Sequence, residues 1–223
     1  MTATKKSASK KKLVSDTSII TLYMDSVLSQ NEEPKNVYTF CKENKIEETD
    51  FYSYYGSLDA LKQDIWLKLF ENAKQTLESD ANYLTYSQKD KVLTLYFTLV
   101  EVLNLNRSYV CFALRDSKNV LQNLHQMKTF RNHFKSFIVD IVETETSERD
   151  MRLNKVLKPL FAEGIWVEFL FILKFWLDDT SKGFEKTDVM IEKAVKATFD
   201  FIDTTPVESL FDLGKFVWKE KFN

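Results

Sequence analysis

A chain of 223 residues that is 44% hydrophobic has enough apolar surface for a substantial core and for one or two domains. With only 4 Gly and 3 Pro it lacks the breakers that a sandwich or barrel needs about every ten residues, so an all-α protein is expected. Two cysteines, Cys41 and Cys111, exclude a disulfide framework and read as buried free thiols in a reducing cytoplasm. No stretch reaches the ~18 uncharged apolar residues of a membrane span. The longest, Val92 to Val100, ends at Glu101, and no apolar run follows the N-terminal lysines as in a secretory signal.

The net charge of -2 conceals a basic start: Lys5, Lys6, Lys10, Lys11 and Lys12 fall within the first twelve residues. Residues 1–15 are low-complexity and read as a disordered tail able to touch phosphates without reading sequence. A first helix is expected to start near Asp16 or Thr17, with Ile19, Ile20, Tyr23, Met24, Val27 and Leu28 forming one apolar stripe. Pro34 is expected to open the next helix, which turns Val37, Phe40 and Cys41 inward. A turn at Lys45-Ile46 leads to a second short segment from Glu47. Then comes an aromatic run, Phe51 to Tyr55, and Ser57 stands as the cap of a long helix carrying Leu58, Leu61, Ile65, Leu69, Ala73 and Leu77.

Farther on, Ser87 is placed to cap a helix to about Asn106 that is apolar on nearly all sides, a pattern suited to the middle of a bundle. A short segment, Tyr109 to Leu114, precedes a helix carrying residues from Val120 to Ile141. Ser147 starts another, which Pro159 kinks or ends, followed by Phe161 to Leu177, a polar break at Asp178 to Gly183, and a helix from Thr187 to Asp203. The last helix has a capping box, Thr205-Pro206-Val207-Glu208, and the apolar residues Leu210, Phe211, Leu213, Phe216, Val217, Trp218 and Phe222. Nine or ten helices and no strand are expected.

Catalytic signals are weak. His125 and His133 do not by themselves make a metal site, which takes three or four ligands. There is no phosphate-binding Gly loop, CxxC pair or GxSxG motif. No catalytic residue, metal or cofactor is therefore assigned.

Val37, Phe40, Cys41, Ile46, Phe51, Tyr52, Tyr55, Ser57 and Leu61 follow the spacing of a helix-turn-helix head. Over Ile19 to about Phe70 the chain resembles the tetracycline-repressor (TetR) family of transcriptional regulators. The resemblance implies a small head, residues 16–60, on a helical ligand-binding and dimerisation body, residues 61–223. It also implies a homodimer joined through a four-helix bundle from Phe161 to Leu177 and Thr187 to Asp203. Candidate DNA contacts are Lys35, Thr49, Tyr52, Ser53, Tyr54 and Ser57. Candidate contacts to a hydrophobic small molecule are Tyr96, Phe112, His125, Phe134 and Trp166, which mix apolar bulk with polar tips.

The head departs from the family at its reading surface. Lys45 stands where the turn usually has Gly, and Leu58 where a phosphate-contacting Lys is common. Residues 31–65 hold eight acids (Glu32, Glu33, Glu43, Glu47, Glu48, Asp50, Asp59, Asp64) against four lysines (Lys35, Lys42, Lys45, Lys62). No arginine occurs before Arg107, so the bidentate guanine contact is lacking. Two functions compete: a cytoplasmic, ligand-responsive regulator, or a TetR-fold lipid- or small-molecule-binding accessory protein without DNA binding. The second resembles the ubiquinone-biosynthesis lipid-binding proteins and gives the last helix a membrane or partner protein to lie on.

Overall fold

The computed structural model describes residues 14–114, 120–142 and 148–204. The basic tail, the expected start at Ser147 and the expected helix after Thr205 lie outside them. Among the described residues there are ten α-helices and no strand. They are α1 (Asp16–Gln30), α2 (Val37–Asn44), α3 (Glu48–Tyr52), α4 (Leu58–Glu78), α5 (Gln88–Leu105), α6 (Arg107–Ala113), α7 (Val120–Gln126), α8 (Lys128–Ile141), α9 (Glu148–Asp178) and α10 (Glu185–Thr204). No described helix is long and apolar enough to cross a membrane.

The chain divides into two compact units. One takes the residues up to Lys68 together with Asn106–Phe130; the other takes Leu69–Leu105 and the residues from Arg131 on.

In the first unit α1 is capped by Ser15 rather than by Asp16 or Thr17. The Ser18 amide donates to Ser15 Oγ at 3.1 Å and the Ser15 amide to Ser18 Oγ at 2.8 Å, a reciprocal box that two serines satisfy. Ile19, Tyr23 and Val27 form its buried stripe. The next helix does not open at Pro34: Asn36 caps α2, its Oδ1 accepting from the Thr39 amide at 2.8 Å and the Thr39 hydroxyl at 3.0 Å. α1 packs against α2 and α6, and α2 against α3. Tyr23, Phe40 and Phe51 meet edge-on at 5.8 and 5.9 Å, and Tyr55 joins Phe51 at 5.9 Å. All four are buried. Burying each such ring stabilises by about 1.5–3 kcal/mol, with a further ~0.5–1.5 kcal/mol for an aligned aromatic pair.

In the second unit α5 packs against α10, and α10 against α9. Ser87 caps α5 as expected, accepting from the Asp90 amide at 3.1 Å. α9 runs unbroken past Pro159, where the sequence pattern predicts a kink or an end. An interior proline costs a helix about 3 kcal/mol. Ala162, Ile165, Trp166, Phe169, Ile172, Leu173 and Trp176 are buried along the following turns, and their burial outweighs that cost. The opposite correction applies to the stretch from Val120 to Ile141. It is two helices, α7 and α8, separated at Met127, and Gln126 Nε2 donates to the Ala113 carbonyl at 3.0 Å beside the break. Neither Gly nor Pro marks that break. Of the two thiols Cys41 is buried and Cys111 only half-buried; burial pushes the Cys41 thiol up to about 11, so it stays protonated.

Candidate nucleic-acid interface

The helix-turn-helix is built by the end of α2. Lys45 adopts the left-handed conformation at φ 57° and ψ 41°. The Ile46 amide donates to the Cys41 carbonyl at 3.0 Å and the Lys45 amide to the Lys42 carbonyl at 3.4 Å. This is the pattern of a Schellman stop, which favours glycine because a side chain at positive φ costs about 1–2 kcal/mol. The departure from glycine seen in the sequence is therefore a real strain at the turn.

α3 is one and a half turns long, anchored by the buried Phe51. Around that anchor Thr49 and Ser53 are exposed, as are Tyr52 (53%) and Tyr54 (48%). Lys35 is exposed. Ser57 is exposed and caps α4, accepting from the Ala60 amide at 3.1 Å. Thus the candidate DNA residues are on the surface of the first unit, but Ser53, Ser57 and Tyr54 also have structural partners, the Ser53 hydroxyl donating to the Thr49 carbonyl at 2.8 Å. The Tyr54 hydroxyl donates to the Val14 carbonyl at 3.0 Å.

The electrostatics follow from which charges are paired. Lys62, one of the four lysines of residues 31–65, is only 8% exposed and sits 3.1 Å from Glu33 and 3.0 Å from Asp59. Burial alone lowers such an ammonium, but the two carboxylates outweigh it and hold the Lys62 pKa above the ordinary lysine value. Lys62 is thereby spent inside the fold. Around α3 lie Glu47, which is exposed, and Glu48 and Asp50, which are half-buried.

Beside Tyr54 is a cleft of about 460 Å³ lined by Asp16, Tyr54, Tyr55, Ala60, Gln63, Asp64, Lys68 and Thr129. Its polar groups are largely paired with one another. Tyr55 Oη donates to Asp64 at 2.7 Å, Thr129 Oγ1 to Gln63 at 2.8 Å, and Lys68 stands 3.4 Å from Asp16. Burial, then the Asp64 carboxylate, drives the Tyr55 pKa upward, so its phenol remains a donor.

Of the candidate ligand residues, Tyr96, Phe134 and Trp166 come together in the second unit. Tyr96 stacks on Phe134 at 6.5 Å, and Phe134 meets Trp166 edge-on at 5.5 Å. All three are buried, and Tyr96 Oη donates to the Ile165 carbonyl at 2.7 Å. Phe112, half-buried, and His125, exposed, belong to the first unit. Sequence reasoning missed the partners that matter here: the Val14 carbonyl under Tyr54, and Asp64 under Tyr55. Separations of 40 and 9 residues leave no periodic signal that pairs them. Among the described residues no group of three His, Cys, Asp or Glu is placed to hold a metal ion.

Residues 91–217, more than half of the chain, match the family model described as the tetracyclin repressor-like C-terminal domain. No curated protein matches the chain.

Proposed function

Because this chain belongs to the tetracycline-repressor-like family, we propose that it is a ligand-responsive transcriptional regulator that binds DNA as a homodimer. The observation that carries the reading is the turn between α2 and α3. A Schellman stop and the Phe40–Phe51 contact fix α3 on α2, while Thr49, Tyr52 and Ser53 stay exposed for base and phosphate contacts. Lys35 and Ser57 supply further phosphate contacts from the head, residues 16–60. The body, residues 61–223, takes a hydrophobic ligand against the aromatic group of Tyr96, Phe134 and Trp166, and occupancy there changes DNA affinity.

Dimerisation is supported by α9. Leu160, Val167, Phe171 and Phe175 are exposed apolar side chains at helical spacing, with Gly164 exposed between them. Val189 and Phe201 add exposed apolar area on α10. Such a row is unusual on a surface facing only water and suits a second copy.

Glu47, Glu48 and Asp50 around α3 favour a second reading, an accessory protein that binds a lipid or small molecule and no DNA. In that reading the segment after Thr205 touches a membrane or a partner protein. Fluorescence anisotropy of the full chain against its own promoter DNA separates the two. Saturable binding at low salt that a second, unrelated duplex does not match supports the regulator; absence of binding to both leaves the accessory protein.

A further inference from the structure

Ala60, Asp64 and Lys68 recur at i, i+4 and i+8, so they fall on one face of α4, with Gln63 beside them. That face lines the cleft of about 460 Å³ in the first unit, together with Asp16 of α1, Thr129 of α8 and the tyrosines that follow α3. Small-molecule sites run from about 300 to 1,000 Å³, so the cleft has room for a ligand. Its internal pairing is incomplete. Tyr55 occupies Asp64 Oδ2 and Thr129 occupies Gln63 Oε1, while Asp64 Oδ1 and Gln63 Nε2 have no hydrogen-bond partner among the described residues. Asp16 and Lys68 stand 3.4 Å apart with side chains 41% and 46% exposed, so solvent weakens the pair and a ligand can exchange it.

The two carboxylates share one space. After burial, Asp64 and then Asp16 raise the Tyr55 phenol, which places both near it. The Thr17 amide first, then Lys68 against the opposing effect of burial, hold the Asp16 carboxyl below its ordinary value, so it is charged at neutral pH. The lining therefore presents two acids, one ammonium and the exposed ring of Tyr54. Its complement is a molecule with two cationic groups and one carboxylate.

We propose that this cleft binds a basic α-amino acid of the arginine type, at a site separate from the aromatic group of the second unit. The guanidinium meets Asp64, where a planar fork of donors matches a carboxylate, and its face lies against Tyr54. The α-carboxylate takes Lys68 and the Gln63 amide, and the α-ammonium takes Asp16. Ala60 at the same helix face adds no bulk to the wall. This site requires no DNA and stands independently of the regulator reading.

Isothermal titration calorimetry of the full chain with L-arginine tests the site, with agmatine, which lacks the carboxylate, as second probe. L-arginine is expected to bind saturably and agmatine about tenfold more weakly. Asp64→Asn keeps an acceptor for Tyr55 and removes the charge. Arginine affinity is then expected to fall by roughly an order of magnitude or more, with circular dichroism unchanged. Lys68→Met is expected to bring arginine down to the level of agmatine while agmatine is held at least as tightly as before. A general loss of structure does not produce that split. Absence of saturable heat with L-arginine overturns the site, as does binding that neither substitution alters. Agmatine bound as tightly as arginine by the wild type overturns the assignment of Lys68 to a carboxylate and the amino acid with it. None of these outcomes touches the regulator reading, which the DNA titration decides separately.

Discussion

Asp179 and Thr187 are joined twice: the Thr187 amide donates to Asp179 Oδ2 at 3.0 Å and its hydroxyl to the same oxygen at 2.7 Å. The other carboxylate oxygen accepts from the amide and hydroxyl of Ser181, at 2.8 and 2.7 Å. One side chain thus ties the end of α9 to the start of α10 across the left-handed pair Gly183 and Phe184. Desolvation raises this carboxyl, but the four donors outweigh it and hold it at about 2.

The sign follows from that depression. Asp179 contributes stability that is present above its unfolded value of 3.8 and is lost as pH falls toward 2. Asp179→Asn is expected to lower the melting temperature at pH 7 by several degrees, on the scale of about 2–4 °C per kcal/mol for a chain of this length. The gap between variant and wild type should narrow below pH 4; a gap independent of pH would show that the charge has no part in it.

Glu168 on α9 titrates in the opposite sense. Burial drives its pKa above 4.5, although Thr198 donates to one carboxylate oxygen and pulls the other way. The second oxygen, Oε1, is buried without a hydrogen-bond partner. A raised carboxyl stabilises the fold when protonated, and that contribution is lost as pH rises through the folded pKa. Glu168→Gln is therefore expected to raise the melting temperature at pH 7 by about 2–4 °C. The gain should disappear at pH 4, and thermal scans at the two pH values read it directly.

Lys45 carries strain that glycine would relieve. Lys45→Gly at φ 57° is expected to stabilise the first unit by up to ~1 kcal/mol, the left-handed penalty less the flexibility glycine adds to the unfolded chain. Urea unfolding checks the sign. Destabilisation would mean that the lysine side chain does more for the turn than its backbone costs.

Phe171, 66% exposed at the middle of the apolar row on α9, is the position to probe for self-association. Phe171→Glu is expected to shift the chain from dimer to monomer in analytical ultracentrifugation at micromolar concentration, with helical content unchanged. A wild-type chain that sediments as a monomer at the same concentration would remove the dimer from the functional reading.

What the sequence determined by itself is local. Scarce Gly and Pro, apolar spacing near 3.6, and caps at Ser57 and Ser87 are properties of neighbouring residues, so the all-α class and most helices could be read directly. Lys45 at the turn was legible for the same reason. Boundaries were misread where a distant partner decides them. Pro159 stays inside α9 because the turns after it are buried, and Met127 separates two helices with no Gly or Pro to mark the break. The candidate sites divide along the same line. Exposure of Thr49, Tyr52 and Ser53 follows from their place around the buried Phe51, whereas Phe112 and His125 fall in a different unit from Tyr96, Phe134 and Trp166. Only the tertiary structure decided that Lys62 is paired with Glu33 and Asp59 inside the first unit and that Tyr54 holds Val14. Charge is a property of composition, but whether a charge faces solvent or a buried partner is fixed by packing between segments far apart in the chain.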